Sequence, residues 1–180
     1  MGFQIADGTG SGRLAEVDSE HRLKVASVAE LQAAVASRNN GLAYSWTHAY
    51  DYDANDTILW LKNTSQTHLL MLDTIVISSD TTTQSTVHYP TDTTPAGTLV
   101  VGTNLNGLSG NVANALCYGD ETGNTMGKKV VQGISLGNTT ALMPAASSLI
   151  LGYNNEIAVD LVTAGTLGIV TIRGYYYEVD

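Results

Sequence analysis

The sequence has a single cysteine and few basic residues, and each shortage excludes a class of protein. Cys117 alone can form neither an intrachain disulfide nor a cysteine-based zinc site, so a secreted disulfide scaffold is excluded and an intracellular origin is expected. Eight Lys and Arg residues stand against 17 Asp and Glu residues, which gives a net charge of -9. A surface of that sign repels phosphate groups and anionic lipid, so neither nucleic acid nor a membrane is expected as a partner.

Long apolar runs are also missing from the sequence. No stretch approaches the length that spans a bilayer, and the N-terminus lacks the basic and apolar regions of an export signal. The chain is therefore expected to be neither embedded in a membrane nor exported by that route. What is present is a chain of 180 residues, 43% of them hydrophobic, which suffices for one domain with a buried core.

From residue 42 onward, strand-like segments alternate with Gly, Asn, Asp, Ser and Thr. No helical pattern separates these segments, so the crossover connections of a parallel sheet are not expected. The sequence predicts an all-β fold, an antiparallel β-sandwich of jelly-roll type over residues 42–180. The predicted strands are residues 42–50, 57–63, 68–78, 83–89, 97–104, 111–118, 129–136, 147–153, 156–163 and 166–178.

The segment 78–98 differs from the other predicted strands because it is rich in Ser and Thr and poor in apolar residues. It also contains Pro90 and Pro95, which cannot donate hydrogen bonds to a sheet. Proline and polar side chains are typical of strands at the margin of a sheet. The segment is therefore predicted to be an exposed edge strand between loops.

Residues 1–41 predict an extended N-terminal arm followed by one short helix. The arm is rich in glycine, and Ser27 with Glu30 forms a capping-box pattern that predicts a helix over residues 28–37. A helix this short needs a surface to cover, since it is marginal alone in water. Its apolar residues recur at helical spacing, and we predict that they form an oligomer interface: Val28, Leu31 and Val35.

The acidic stretch DYDAND, residues 51–56, is a candidate metal site. Its first oxygen-bearing side chains have the spacing of a calcium-binding loop, but Asp56 stands where that loop needs glycine and Lys62 where it needs glutamate. Asp and Asn favour turns, so we interpret the stretch as a hairpin connection between two strands. Neither a metal nor any other cofactor is expected.

No catalytic motif stands in the context that its chemistry requires. The GxSxG match GISLG, residues 133–137, begins inside a predicted strand and is followed by no predicted helix, so it lacks the strand-to-helix turn of a nucleophile elbow. The four histidines lack the close pairing of a zinc site: His21, His48, His68 and His88. Asp73 and Asp160 each interrupt an apolar strand. A carboxylate at such a position is either a catalytic acid in a pocket or, as we favour, an outward-facing or hydrogen-bonded strand residue. The protein is therefore predicted not to be an enzyme, and no catalytic residue is assigned.

The stretch GTGSGRLAEVDSEHRLKVASV, residues 8–28, resembles the leader of virion structural proteins of tailed bacteriophages. In those proteins a Gly/Ser arm precedes an A-x-VDS-x-x-RL-x-V segment and then a β-sandwich, and the closing GIVTIRGYYYE is also similar. The resemblance covers nearly the whole chain as a pattern and order of segments. It implies a non-enzymatic capsid decoration, head-fibre or tail-associated protein, usually an oligomer; the number three, a homotrimer, comes from the resemblance alone.

The arm is predicted to attach the protein to the major capsid protein or another virion protein. It holds three of the eight basic residues within a short stretch, and its two strand-like segments suit addition to the edge of a partner's sheet. A charged, exposed hairpin is the alternative interpretation. The candidate partner-binding residues are Arg13, Leu14, Val17, Arg22, Leu23, Lys24 and Val25.

A second functional class also fits the sequence, a tail- or fibre-associated β-sandwich that binds carbohydrate. Trp46, Trp60 and the run Tyr175–Tyr177 would then supply flat faces on which sugar rings stack. Packing in a core accounts for both tryptophans with fewer assumptions, because large aromatic side chains dominate the cores of small domains.

Overall fold

The computed structural model describes residues 37–54, 56–91, 96–121, 124–135, 139–143 and 149–178. These residues belong to one compact unit, Ala33–Asp180. The strands in this part of the chain are β1 (Ala43–Tyr52), β2 (Asp56–Asn63), β3 (His68–Ser79), β4 (Thr83–Thr91), β5 (Thr98–Leu99), β6 (Thr103–Asn104), β7 (Ala115–Glu121), β8 (Thr125–Ser135), β9 (Thr139–Met143), β10 (Leu149–Leu151), β11 (Glu156–Leu161) and β12 (Gly165–Glu178).

The strands form two antiparallel sheets. The first has the order β10–β3–β12–β1–β6, with β9 also paired to β3, and the second has the order β5–β7–β2–β11–β4–β8. The long strand β12 organises the first sheet, because β1 and β3 pair along its two sides. The prediction of an all-β, antiparallel, sandwich-like fold is confirmed. Residues 37–39 are helical, while the rest of the predicted helix over 28–37 lies outside the described residues.

Both sheets contribute to one apolar core. In β3, buried and half-exposed residues alternate as the period of a strand requires. Burying each large apolar side chain stabilises the fold by about 1.5–3 kcal/mol relative to leaving it exposed. The first sheet supplies Tyr44, Trp46, Leu70, Leu72, Ile75, Ile77, Val170 and Ile172, and the second supplies Ile58, Leu59, Leu61, Val87, Cys117, Ile157, Val159 and Leu161.

Two extra residues, one in β3 and one in β2, change which side chains face the core. In β3, Arg173 pairs with Thr74 and Gly174 with Leu72, so Asp73 is left out of the pairing and points to solvent. In β2, Ile58 is the extra residue opposite β11. A bulge of this kind shifts the alternation by one residue, so side chains that would share a face no longer do.

Strand β4 corrects the prediction for segment 78–98. It is not an edge strand, since it pairs with β11 on one side and β8 on the other, and most of its residues are buried. The margin of this sheet is β8, where Lys128 and Lys129 are exposed. Pro90 is accommodated at a register shift between Tyr89 and Thr91. The polar residues of β4 predicted an exposed strand, but several of them are buried.

The stretch DYDAND forms a turn, as predicted, but it does not form a hairpin. Strand β1 ends at Tyr52 in the first sheet, and β2 begins at Asp56 in the second sheet, so the turn connects two sheets. The Asp56 N–H donates to the Asp53 carbonyl at 3.3 Å, and the Asp53 N–H donates to the Asp56 carboxylate at 3.2 Å. Local turn chemistry specifies the reversal but not the strand that each side pairs with.

No helix in the described part of the chain has the length and hydropathy needed to cross a membrane.

Candidate functional site

The chain enters the first sheet through a tightly closed helix end. Gly41 has φ +70°, and its N–H donates to the Arg38 carbonyl at 3.0 Å while the Leu42 N–H donates to the Ser37 carbonyl at 2.6 Å. This pair of bonds is a Schellman motif, which satisfies carbonyl groups that a helix end leaves without partners. The glycine is needed because a side chain in this left-handed region is strained.

A loop over residues 103–112, here called the asparagine loop, holds that helix end. Its amide side chains neutralise the negative end of the helix by donating to consecutive carbonyl oxygens. The three bonds are Asn106 to Asn39 at 3.0 Å, Asn111 to Asn40 at 3.2 Å and Asn104 to Gly41 at 2.9 Å. The end of the N-terminal segment is therefore fixed to the body of the protein by side chains that are distant in sequence.

The C-terminal strand β12 holds the same junction from the other side. The Ser37 hydroxyl donates to the Tyr176 carbonyl at 3.0 Å, and the Tyr176 N–H donates to the Leu42 carbonyl at 2.9 Å. The Tyr44 hydroxyl donates to the Gly41 carbonyl at 3.0 Å. Burial raises the pKa of Tyr44 and Tyr176, so both phenols remain neutral over the physiological pH range.

The asparagine loop also stabilises itself. Asn104 Oδ1 accepts the Asn106 N–H at 2.9 Å, Asn106 Oδ1 accepts the Leu108 N–H at 3.1 Å, and Ser109 Oγ accepts the Asn111 N–H at 3.1 Å. These are the local turns that Asn and Ser side chains favour. The exposed apolar side chains of the loop, together with Val101 just before it, form what we call the apolar loop surface: Val101, Leu105, Leu108 and Val112.

A cavity of about 200 Å³ lies beside this junction. Its lining combines amide and imidazole groups with aromatic rings and comprises Leu42, Tyr44, His68, Asn111, Val112, Asn114 and Tyr176. The rings of His68 and Tyr176 meet edge to face, with centroids 6.2 Å apart, and those of Tyr44 and Tyr176 meet in the same way at 5.7 Å. These contacts rigidify the base of the junction and leave little room for a large ligand.

A second cluster of polar residues is buried in the other sheet. Asp160 Oδ1 accepts the Thr57 hydroxyl at 2.7 Å, and Asp160 Oδ2 lies 2.8 Å from His88 Nε2, although the ring N–H does not aim at that oxygen with hydrogen-bond geometry. The bulge at Ile58 is what places Thr57 on the same face of the sheet as Asp160. Three strands, β2, β11 and β4, are thereby joined through one carboxylate.

This cluster resembles part of a catalytic triad in its residue types, but it is closed to a substrate. His88 is 0% exposed, and the Gly127 N–H donates to its Nδ1 at 3.4 Å while its Nε2 lies beside Asp160. Both ring nitrogens therefore face protein groups. The cluster ties strands together, and breaking it would leave buried polar groups without partners.

The residues proposed from sequence fall into three groups. The partner-binding residues Arg13, Leu14, Val17, Arg22, Leu23, Lys24 and Val25 and the interface residues Val28, Leu31 and Val35 all lie outside the described residues. Asp73 faces outward and Asp160 is hydrogen-bonded, as favoured above. Trp46 and Trp60 are 0% and 1% exposed, so neither offers a face for a sugar.

His48 and His68, two of the described histidines, lie far apart. His48 pairs with Val170 and His68 with Glu178, positions eight residues apart on β12, which is roughly 27 Å along a strand. Among the residues that the structure describes, no group of three or more His, Cys, Asp or Glu side chains is arranged to hold a metal ion. The expectation that the protein needs no metal remains a prediction.

The asparagine loop is the feature that sequence interpretation missed. A signal for it exists, because residues 93–119 contain no charged residue in a chain of net charge -9, and apolar residues recur there among Gly, Asn and Ser. The strand pattern of the sequence instead predicts two ordinary strands there, 97–104 and 111–118. Comparison of the chain with family models, with curated proteins and with solved structures found no match.

Proposed function

We propose that this chain is a non-enzymatic structural protein of a tailed-bacteriophage virion, foremost a capsid decoration protein that docks on the capsid lattice through its N-terminal arm. In this proposal the arm comprises the residues before the helix end, with residues 1–26 making the contact. The sandwich is of jelly-roll type and faces solvent. The partner is the major capsid protein or another virion protein, and the protein acts as a homo-oligomer, expected to be a trimer.

The observation that carries the proposal is the rigid junction at residues 37–42. A protein attached by a terminal arm must transmit that attachment to its body, and a loose junction would let the body swing away from its docking position. Here the asparagine loop and β12 both hold the helix end by hydrogen bonds. Side chain–backbone bonds of this kind each contribute about 1 kcal/mol, so the junction resists local opening.

The distribution of charge also supports attachment through the arm. Residues 42–180 contain twelve of the 17 acidic residues but only four of the eight basic residues. Residues 13–24 of the arm balance Arg13, Arg22 and Lys24 against three acidic residues, so this stretch has no net charge, whereas residues 42–180, with four basic and twelve acidic residues, have a net charge of -8. An acidic body is kept in water and away from other acidic surfaces, whereas clustered cations pair with acidic groups of a partner.

For the alternative function, carbohydrate binding at a tail or fibre, two of the residues expected to contact the sugar are not accessible. Both tryptophans are buried, and Trp60 Nε1 donates to the Glu156 carboxylate at 3.2 Å instead of facing solvent. Of the tyrosine run, Tyr177 is half exposed and remains available for stacking. Binding to host polysaccharide is accordingly the outcome that would favour this alternative.

Deletion of residues 1–26 tests the proposal. We expect the truncated protein to keep a β-type circular dichroism spectrum and to lose co-sedimentation with purified particles. The double variant Arg13→Glu, Arg22→Glu should weaken particle binding in a salt-sensitive way, because it inverts two cations of the predicted contact. The matched control is Lys128→Glu, Lys129→Glu, which makes the same change of charge on the exposed margin of the second sheet.

Undiminished particle binding by the truncated protein would show that the sandwich itself makes the contact. Unfolding on truncation would show that the arm is part of the core. Equal weakening by the control pair would attribute the effect to total charge rather than to the arm.

A further inference from the structure

The apolar loop surface is unusual because its side chains are both exposed and held in place. Leu108 is 99% exposed, Val112 is 72% exposed and Val101 is 69% exposed. Soluble proteins leave single apolar residues in water without consequence, but several on one segment mark an interaction site. The four residues of this surface all lie within a segment of twelve residues.

The loop loses little freedom when it binds. Its backbone is already fixed by the turns at Asn104, Asn106 and Ser109 and by the bonds to the helix end. The Leu105 N–H also donates to the Ala43 carbonyl at 2.8 Å, which ties the loop to β1. Ordering a flexible segment on binding has an entropic cost, so a preformed loop retains more of the energy of its apolar contacts.

Charge selects the occupant of this surface. Two copies of a chain with net charge -9 repel each other, so a contact between them is favoured where neither copy carries charge. Two long stretches of the sequence carry no Asp, Glu, Lys or Arg, residues 93–119 and 130–155. Among the described residues, the first of these stretches holds the four most exposed large apolar side chains, so it is where a contact between copies is most favoured. An acidic partner would instead bind the basic residues of the arm.

We propose that the apolar loop surface, formed by Val101, Leu105, Leu108 and Val112, packs against a second copy of this chain. The contact places Leu108 at its centre, since this is the most exposed side chain, and it extends along the asparagine loop. It is a second contact between copies, separate from the predicted stripe Val28, Leu31 and Val35. The inference rests on the homo-oligomer of the proposed function but not on attachment to the virion, so loss of particle binding alone leaves it standing.

The test is the mass of the full-length protein and of Leu108→Asp across a range of micromolar concentrations, measured by sedimentation velocity. The wild-type protein should exceed the monomer mass of 19.0 kDa. Leu108→Asp should raise the dissociation constant by about tenfold or more, because it buries a charge in the contact. The matched control is Leu167→Asp, the same chemical change at a half-exposed site on β12, which should leave association unchanged.

A second measurement decides the case if Leu108→Asp fails to fold. Leu108→Cys and Leu167→Cys are each labelled with a maleimide at low and high protein concentration. The native Cys117 is buried, and burial raises the pKa of its thiol, so only the introduced cysteine reacts. Labelling at position 108 should slow by about tenfold at high concentration, in line with its burial in the contact, while labelling at 167 should not.

Three results would overturn the proposal. They are a wild-type protein that is monomeric at every concentration, an association constant unaffected by Leu108→Asp, and a labelling rate at position 108 that is independent of concentration. Loss of particle binding with self-association intact would instead count against the proposed virion function alone.

Discussion

At the scale of the residue, Gly41 carries the junction between the N-terminal segment and the sandwich. Its φ of +70° disfavours any residue with a side chain, and a Cβ at this position would lie 2.0 Å from Ser109 Oγ. We therefore expect Gly41→Ala to lower the free energy of unfolding by about 1–3 kcal/mol, the cost of a strained backbone in the left-handed region. Chemical denaturation followed by circular dichroism measures this change.

Gly107→Ala is the control for this prediction. It lies in the asparagine loop, which holds the helix end at Gly41, and a Cβ there would meet nothing within 4 Å. Its effect should remain within about 0.5 kcal/mol, as for most surface substitutions. Equal destabilisation by the two variants would contradict the role assigned to Gly41.

Single residues also show where sequence interpretation succeeds and where it stops. Asp73 and Asp160 were both recognised as interruptions of apolar strands, and each was expected to be solvated or hydrogen-bonded, as found. What the sequence did not reveal is that Asp73 is the extra residue of a bulge and that another bulge brings Thr57 to Asp160. Bulges depend on how two strands align, which is not encoded in either strand alone.

At the scale of the element, the asparagine loop is predicted to hold the helix end closed. In the double variant Asn106→Ala, Asn111→Ala, two donors to the helix carbonyls are lost. The amides of Gly41 and Leu42 should then exchange hydrogen about tenfold faster or more, because each bond contributes about 0.5–1.5 kcal/mol and local opening governs exchange. Hydrogen–deuterium exchange with fragment separation measures this rate.

Asn114→Ala is the control for the loop, since this residue is exposed and lies just beyond it. Exchange in β2 and β11 should be unchanged in both variants, because these strands are in the other sheet. A uniform increase of exchange throughout the protein would indicate global destabilisation rather than release of the helix end.

The strands themselves were largely predictable, and the exceptions have physical causes. Alternation and turn residues located β1, β2, β3, β11 and β12 to within a few residues. Strand β4 was placed at the margin because Ser and Thr usually face water, whereas here Thr83, Ser85 and Thr86 are buried. Strand β9 was missed, and segment 97–104 proved to be two short strands flanking an irregular stretch. The local sequence pattern shows which residues of a strand are polar, but whether those residues are buried depends on the strands that pair with it.

At the scale of the whole molecule, the two proposed contacts differ in their physical character. In the proposed attachment, Arg13, Arg22 and Lys24 of the arm are attracted to acidic groups of the partner. Self-association through Leu108 and its neighbours is an apolar contact between two copies with the same net charge of -9. Dissolved salt screens both attraction and repulsion, with a Debye length of about 10 Å at 0.1 M. Salt should therefore separate the two contacts.

Raising the salt concentration from about 0.05 M to about 0.3 M, which shortens the Debye length more than twofold, should change the two affinities in opposite directions. Particle binding should weaken, because the arm loses its attraction to acidic groups, and the variant Arg13→Glu, Arg22→Glu should lose most of this dependence. Self-association should strengthen, because repulsion between acidic bodies falls and apolar burial is unaffected or favoured. Co-sedimentation with particles and sedimentation velocity of the free protein measure the two constants in the same buffers. Self-association that weakens with salt would show that charged residues outside the apolar loop surface hold the copies together. Particle binding that does not change with salt would show that the basic residues of the arm do not contribute to attachment.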